Sequence, residues 1–155
     1  MQGKAVRESI ITMSQVMSPQ DVNLNGNVHG GVIMKLIDIT AGTAAMRHAR
    51  CNIVTASIDR LDFISPVYPG NLVTFKASIN YIGKTSMEVG VRVETEDLIT
   101  GELRHTASAY LTFVALGRDR RPIVIPPLIL ETEDEKRRYS EALSRREVRL
   151  HERPS

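Results

Sequence analysis

Three segments between Val73 and Phe113 alternate apolar and polar side chains with a period of two. Val73, Phe75, Ala77, Ile79 and Tyr81 interleave with Thr74, Lys76, Ser78 and Asn80. Met87, Val89, Val91 and Val93 interleave with Glu88, Gly90, Arg92 and Glu94, and a third run extends from Leu103 to Phe113. Such alternation predicts strands with one buried face. The run Ile53 to Ile64 is strand-like but changes phase, which predicts a bulge near Asp59 and Arg60. Turns fall at 66–70, 83–84 and 100–101, and separations this short suit antiparallel neighbours. Upstream, Glu8 to Val16 reads as a first strand. From Gly31 to Arg50 the pattern is helical and apolar on nearly every side, the mark of a helix buried over most of its surface. The predicted architecture is α+β, a curled antiparallel sheet wrapped around one long central helix. After residue 117 the composition changes to a basic segment, a proline-limited apolar patch and a charged helical tail over Glu133 to Arg149. Residues 1–117 are therefore read as the single domain and 118–155 as an appended tail, of the kind that is more often a solvated face or a packing arm than a functional element.

At 155 residues the chain is long enough for one real core, and 25% charged residues is ordinary for a soluble domain. A formal net charge of +2 and an aromatic content of 5% without tryptophan argue against a nucleic-acid platform. The single cysteine, Cys51, excludes an internal disulfide framework and fits a reducing compartment, so a cytoplasmic location is expected. No apolar run is long enough to span a bilayer, and neither a membrane nor a nucleic-acid partner is expected. No Cys/His or carboxylate cluster has metal-ligand spacing, so no metal is expected.

The chemistry concentrates in Asn23 to Asp38, N-L-N-G-N-V-H-G-G-V-I-M-K-L-I-D. A polar loop ends in two glycines, and the apolar helix that follows carries one carboxylate, Asp38, about two turns in. A carboxylate in such surroundings is costly unless it is hydrogen-bonded, paired or chemically employed. A helix start lined by glycine amides, Gly30 and Gly31, suits a developing negative oxygen. Asn27 adds a carboxamide. Together these are parts of an acyl-transfer site. Plainer readings stand beside them: Asp38 as a structural acid, Asn27 as a turn residue beside Gly26, and the glycines as aids to close helix packing. His29 stands where the helix dipole disfavours added positive charge, and is read as pocket wall rather than as general base.

The same stretch resembles the signature of the hot-dog-fold acyl-CoA thioesterases. The strand T-A-S-I-D-R-L-D-F-I-S-P-V and the turn Y-I-G-K-T-S-M-E-V resemble the family's following segments in the same order, over about Met13 to Leu116. The resemblance implies hydrolysis of acyl-CoA to free acid and CoA with no metal or cofactor, CoA being part of the substrate. It also implies dimers that pair their sheets edge to edge, often grouped into hexamers as trimers of dimers. The implied catalytic pair is Asn27 and Asp38, acting across the dimer interface, with the Gly31 or Gly30 amide as oxyanion hole. A hot-dog hydratase would instead show G-D-x-N-P-x-H, and here Leu24 and Asn27 stand at its acid and proline positions. The turn Gly83, Lys84, Thr85, Ser86 and the cation Arg60 are candidates for gripping CoA phosphates. Two rivals are an acyl-CoA sensor that does not cleave its ligand and a thioesterase acting on acyl-carrier protein.

Overall fold

The computed structural model describes residues 1–152 and is built around α1 (Gly30–Ala49), which lies across a five-stranded antiparallel sheet. The short β1 (Lys4–Ala5) comes first, then β2 (Ile11–Val16), and after α1 come β3 (Asn52–Phe63), β4 (Leu72–Ile82), β5 (Ser86–Glu96) and β6 (Leu103–Leu116). The sheet order is β2-β4-β5-β6-β3, leaving β2 and β3 as its edges. A two-residue strand β7 (Leu128–Ile129) pairs in parallel with β1, and α2 (Glu133–His151) follows. This is the hot-dog architecture that the sequence predicts, an antiparallel sheet laid on one long helix. Among the described residues no helix is long and apolar enough to cross a membrane.

The period-two segments form β4, β5 and β6. Their inward residues Val73, Phe75, Ala77, Ile79, Met87, Val89, Val91, Val93, Leu111 and Phe113 are all buried. The first strand is shorter than its pattern, because Val6–Glu8 forms a 3-10 turn closed by Ser9 N–H donating to Val6 C=O. In β3 the pairing with β6 slips twice, between Thr55 and Ser57 and between Ile58 and Arg60, so the phase change near Asp59 is a real irregularity.

The helix α1 departs from expectation. Only one stripe, Ile33, Ile37, Thr40, Ala41, Ala44, Ala45 and His48, is buried, and it packs on the sheet. Met34, Ile39 and Met46 keep 39%, 42% and 47% of their surface exposed. The physical reason is geometric: a small sheet covers one side of a helix, and the described residues offer no second layer there. The outer face of the sheet is different. There α2 crosses from β4, where Tyr139 meets Tyr81, to β3, where Arg149 meets Asp59.

Candidate active site

The loop ahead of α1 is closed by its asparagines. Asn23 N–H donates to the Asn27 carbonyl at 2.8 Å, and Gly26 N–H donates to the Asn23 carbonyl at 3.1 Å. The Asn23 side-chain oxygen accepts from the N–H groups of Asn25 (2.9 Å) and Asn27 (3.2 Å). Gly26 sits at φ 82°, a left-handed backbone that side chains rarely adopt, which is why glycine stands there. Two further bonds fix the helix start: Val28 N–H to the Val67 carbonyl at 2.7 Å and His29 N–H to the Asp21 carbonyl at 2.8 Å. His29 is the N-cap residue, exposed, and its side chain makes no capping bond.

The first amides of a helix have no partner inside it. Among the described residues neither Gly30 nor Gly31 finds an acceptor for its N–H. A Cβ at Gly31 would meet nothing within 4 Å, and one at Gly30 would meet only the Phe63 ring, at 3.5 Å or more. Close packing within the chain therefore does not require either glycine. A cavity of about 340 Å³ opens at this end, lined by Asn23, Asn27, Gly30, Ile33, Phe63 and Ser65 among others.

Asp38 is absent from that cavity. It lies half-buried on the uncovered side of α1 and accepts a hydrogen bond from Thr55 Oγ1 of β3 at 2.9 Å. It stands eight positions after Gly30 in the helix, about 12 Å along the axis. The chain thus brings Asn27, Gly30 and Asn23 together at the helix start and holds Asp38 two turns away with Thr55. The remaining candidates are more distant or engaged. Arg60 is exposed and paired with Asp62 at 2.7 Å. Gly83 to Ser86 form the tight β4–β5 turn, closed by Gly83 N–H to the Ser86 carbonyl at 2.8 Å, with Lys84 exposed. Ser86 pairs with Val114 and Asn52 with Leu116, so this turn lies at the end of the sheet where α1 finishes, opposite the glycine pair.

Residues 25–102 match the thioesterase superfamily model. Protein VdlD of Helicobacter pylori is 42% identical over 139 residues, covering 90% of this chain and 79% of that protein. The cytosolic acyl coenzyme A thioester hydrolase of Rattus norvegicus is 38% identical over 136 residues, covering 86% of this chain and 36% of the longer rat protein. Among solved structures, an apo-hexameric acyl-CoA thioesterase superposes with TM-score 0.94 at 37% identity, covering 97% of both chains. An acyl-CoA hydrolase from Staphylococcus aureus, in complex with butyryl coenzyme A, coenzyme A and coenzyme A disulfide, gives 0.89 at 36% identity and covers 96% and 90%. The chain belongs to the thioesterase superfamily. Sequence and fold both place it among the acyl-CoA hydrolases of that superfamily.

Three alanine variants of the Staphylococcus aureus hydrolase have also been solved, one at an asparagine, one at an aspartate and one at a threonine. In that protein the aspartate follows the asparagine by 15 residues, and the threonine follows the aspartate by 17. Two residues bordering the site here escape the sequence-based reading, Asn23 and Thr55. A signal for Thr55 was available: Thr55 shares the inward phase of β3 with Ile53, so a hydroxyl faces the helix at an otherwise apolar position. Asn23 gave less, being one of three asparagines in the loop and the farthest from the helix.

Proposed function

We propose that this protein hydrolyses acyl-CoA to a free carboxylic acid and CoA, with Asp38 as general base. The observation that carries this reading is the Asp38–Thr55 pair on the open side of α1, downstream of two partnerless glycine amides. One oxygen of Asp38 is held by Thr55, which leaves the other to take a proton from water. That water attacks the thioester carbonyl carbon. The Gly31 amide, or that of Gly30, stabilises the oxyanion that forms. Collapse expels the CoA sulfur, which leaves with the proton carried by Asp38. No metal or cofactor enters the scheme.

Among the three loop carboxamides, spacing favours Asn23 over Asn27. Asn23 precedes Asp38 by 15 residues and Asp38 precedes Thr55 by 17, the intervals of the three variants in the Staphylococcus aureus hydrolase. The Asn23 oxygen is occupied by backbone donors, and among the described residues its NH2 has no acceptor, so that group is free to orient substrate or water.

Asn23 and Asp38 stand too far apart in one chain for a single reacting centre, and we place the second half of each site on another copy. The edge strand β3 and the apolar side chains Met34, Ile39 and Met46 are the surface such a copy would cover. A homodimer is the minimum unit, and a hexamer is consistent with the relative that is named hexameric. Lys84 and its turn, His29 and Arg60 would then grip CoA from neighbouring positions. The lone cysteine and the rat relative named cytosolic support a cytoplasmic location.

The test is release of free thiol from an acyl-CoA chain-length series, run beside acyl-carrier-protein substrates. Asp38→Asn is expected to lower turnover by about 100- to 10,000-fold with binding retained. Mixing inactive Asn23→Ala and Asp38→Ala subunits should restore up to half the sites of a mixed dimer. Binding without thiol release by the parent protein would make it a sensor, and preference for the carrier-protein thioester would reassign the substrate.

A further inference from the structure

The contact between Thr55 and Asp38 is only as firm as β3. Among the described residues that strand is an edge, paired with β6 alone, and its two register slips leave Ala56 and Asp59 without a counterpart on β6. A bulged edge is the least constrained kind of strand. The bulge is nonetheless tied down. On the sheet face opposite Thr55, the Asp59 carboxylate accepts from Ser57 Oγ at 2.8 Å, Thr112 Oγ1 at 2.8 Å and Arg149 Nη1 at 2.9 Å. Arg149 Nη1 also reaches Thr112 Oγ1 at 3.0 Å. The Asp59 side chain retains 12% of its surface and Arg149 27%. Arg149 comes from α2, outside the residues matched by the family model.

We infer that Arg149 and Asp59 are positioning residues for the hydrolytic reaction. By fixing the bulge against β6 and α2, they set where β3 presents Thr55 and so how Asp38 is held. Docking of α2 alone does not explain the pair. A separate and more buried ion pair, Arg145 with Glu88, already anchors the helix on β5. The inference rests on the proposed roles of Asp38 and Thr55. A shift of about 1 Å in such a constellation can lower a rate by up to two orders of magnitude, so a clamp outside the site has room to act.

The experiment is a double-mutant cycle on kcat for acyl-CoA hydrolysis, with Thr55→Ala, Arg149→Ala and the pair, each assayed well below its own Tm. Expected is a drop in kcat of roughly 10-fold for Arg149→Ala with KM nearly unchanged. In the Thr55→Ala background the same change should cost less than about 2-fold, because its route of action is already gone. Asp59→Asn should match Arg149→Ala, and Arg149→Lys should recover part of the rate through its remaining charge. These two milder variants also carry the test if Arg149→Ala does not fold. Equal fold-losses in both backgrounds, or a kcat within about 2-fold of the parent for Arg149→Ala and Asp59→Asn, would overturn the inference while leaving the Asp38 reading intact. Retention of parental kcat by both Asp38→Ala and Thr55→Ala would overturn the reading beneath it as well.

Discussion

The two helices of this protein lie on opposite faces of one sheet and are held there by different forces. On the inner face α1 docks through Ile33, Ile37, Ala41, Ala44 and Ala45, and among the described residues it makes no ion pair. On the outer face α2 buries only Ala142 fully. It docks instead through a bidentate bond from Arg145 to Glu88 at 2.8 and 2.9 Å, the Arg149–Asp59 pair and a Tyr139–Tyr81 ring contact. The Arg145 guanidinium also lies 3.6 Å from the centre of the Tyr110 ring, and its hydrogen bonds to Glu88 hold its pKa above the usual value. Apolar burial is non-directional and tolerates a partner helix in several settings, whereas paired charges fix a specific one. The inner helix is therefore positioned by volume and the outer by registry.

That contrast can be broken most severely from inside. Phe113→Ala removes a fully buried ring from beneath α1, and a loss of about 3–5 kcal/mol is expected in urea unfolding, nearly independent of salt. A loss under about 1 kcal/mol would mean that the inner layer is not the main source of stability. On the outer face, Arg145→Ala leaves the carboxylate of Glu88, whose side chain keeps 5% of its surface, with Asn80 Nδ2 at 3.1 Å as its one remaining side-chain partner among the described residues. About 3 kcal/mol is expected, because an uncompensated buried charge remains. Replacing both partners, Glu88→Met with Arg145→Met, should recover most of that loss. Failure of the double variant to recover would show that packing, not unpaired charge, is what Arg145 contributes.

A smaller effect comes from the fully buried His48 at the end of α1. Its Nε2 donates to the Pro126 carbonyl at 2.8 Å, while among the described residues Nδ1 has no partner. Desolvation is the first cause that pushes its pKa below 6.5, offset in part by that bond to Pro126, with nearby Lys4 lowering it further and Glu8 raising it. The unfolded chain then binds the proton more tightly than the native one. The His48 contribution is fully present above pH 6.5 and is lost as pH falls from there through the folded value. Tm should decline between pH 7.5 and 5.5, and His48→Gln should flatten that slope; an unchanged slope would remove His48 as its source. The least consequential change is Glu94→Gln on the solvated outer face. Hydrogen bonds from Arg92 and then Lys76 lower the Glu94 pKa, yet pairs this exposed contribute about 0–1 kcal/mol and fade in high salt.

The inner face was legible from sequence and the outer face was not. Alternation from Val73 to Phe113 specifies which side of each strand is apolar except at Tyr81, which the register slip after Ile79 turns to the outer face against Tyr139, and the phase change near Asp59 marks the irregularity of β3. Charged α2 carries no such signal. Arg145 and Glu88 are 57 residues apart, and nothing local in either one's neighbours indicates their pairing. The same limit applies at the site. Asp38 stands out because its surroundings are apolar, whereas Thr55 becomes notable only when β3 is laid against α1. The exposure of Met34, Ile39 and Met46 departs from the expectation of a helix buried over most of its surface, since composition registers that a surface is apolar without specifying which molecule covers it.

The short pairing of β1 with β7 has a practical consequence for anyone handling the protein. Ala5 and Val6 are buried, Lys4 N–H bonds the Pro127 carbonyl at 2.9 Å, and Lys4 Nζ donates to the His48 carbonyl at 2.7 Å at the C-terminal end of α1. Trimming the first six residues to tidy an expression product would therefore unzip a seam on the core helix, with proteolytic nicking near residues 123–129 as the visible symptom. An affinity tag placed ahead of the exposed Met1 would leave that seam closed.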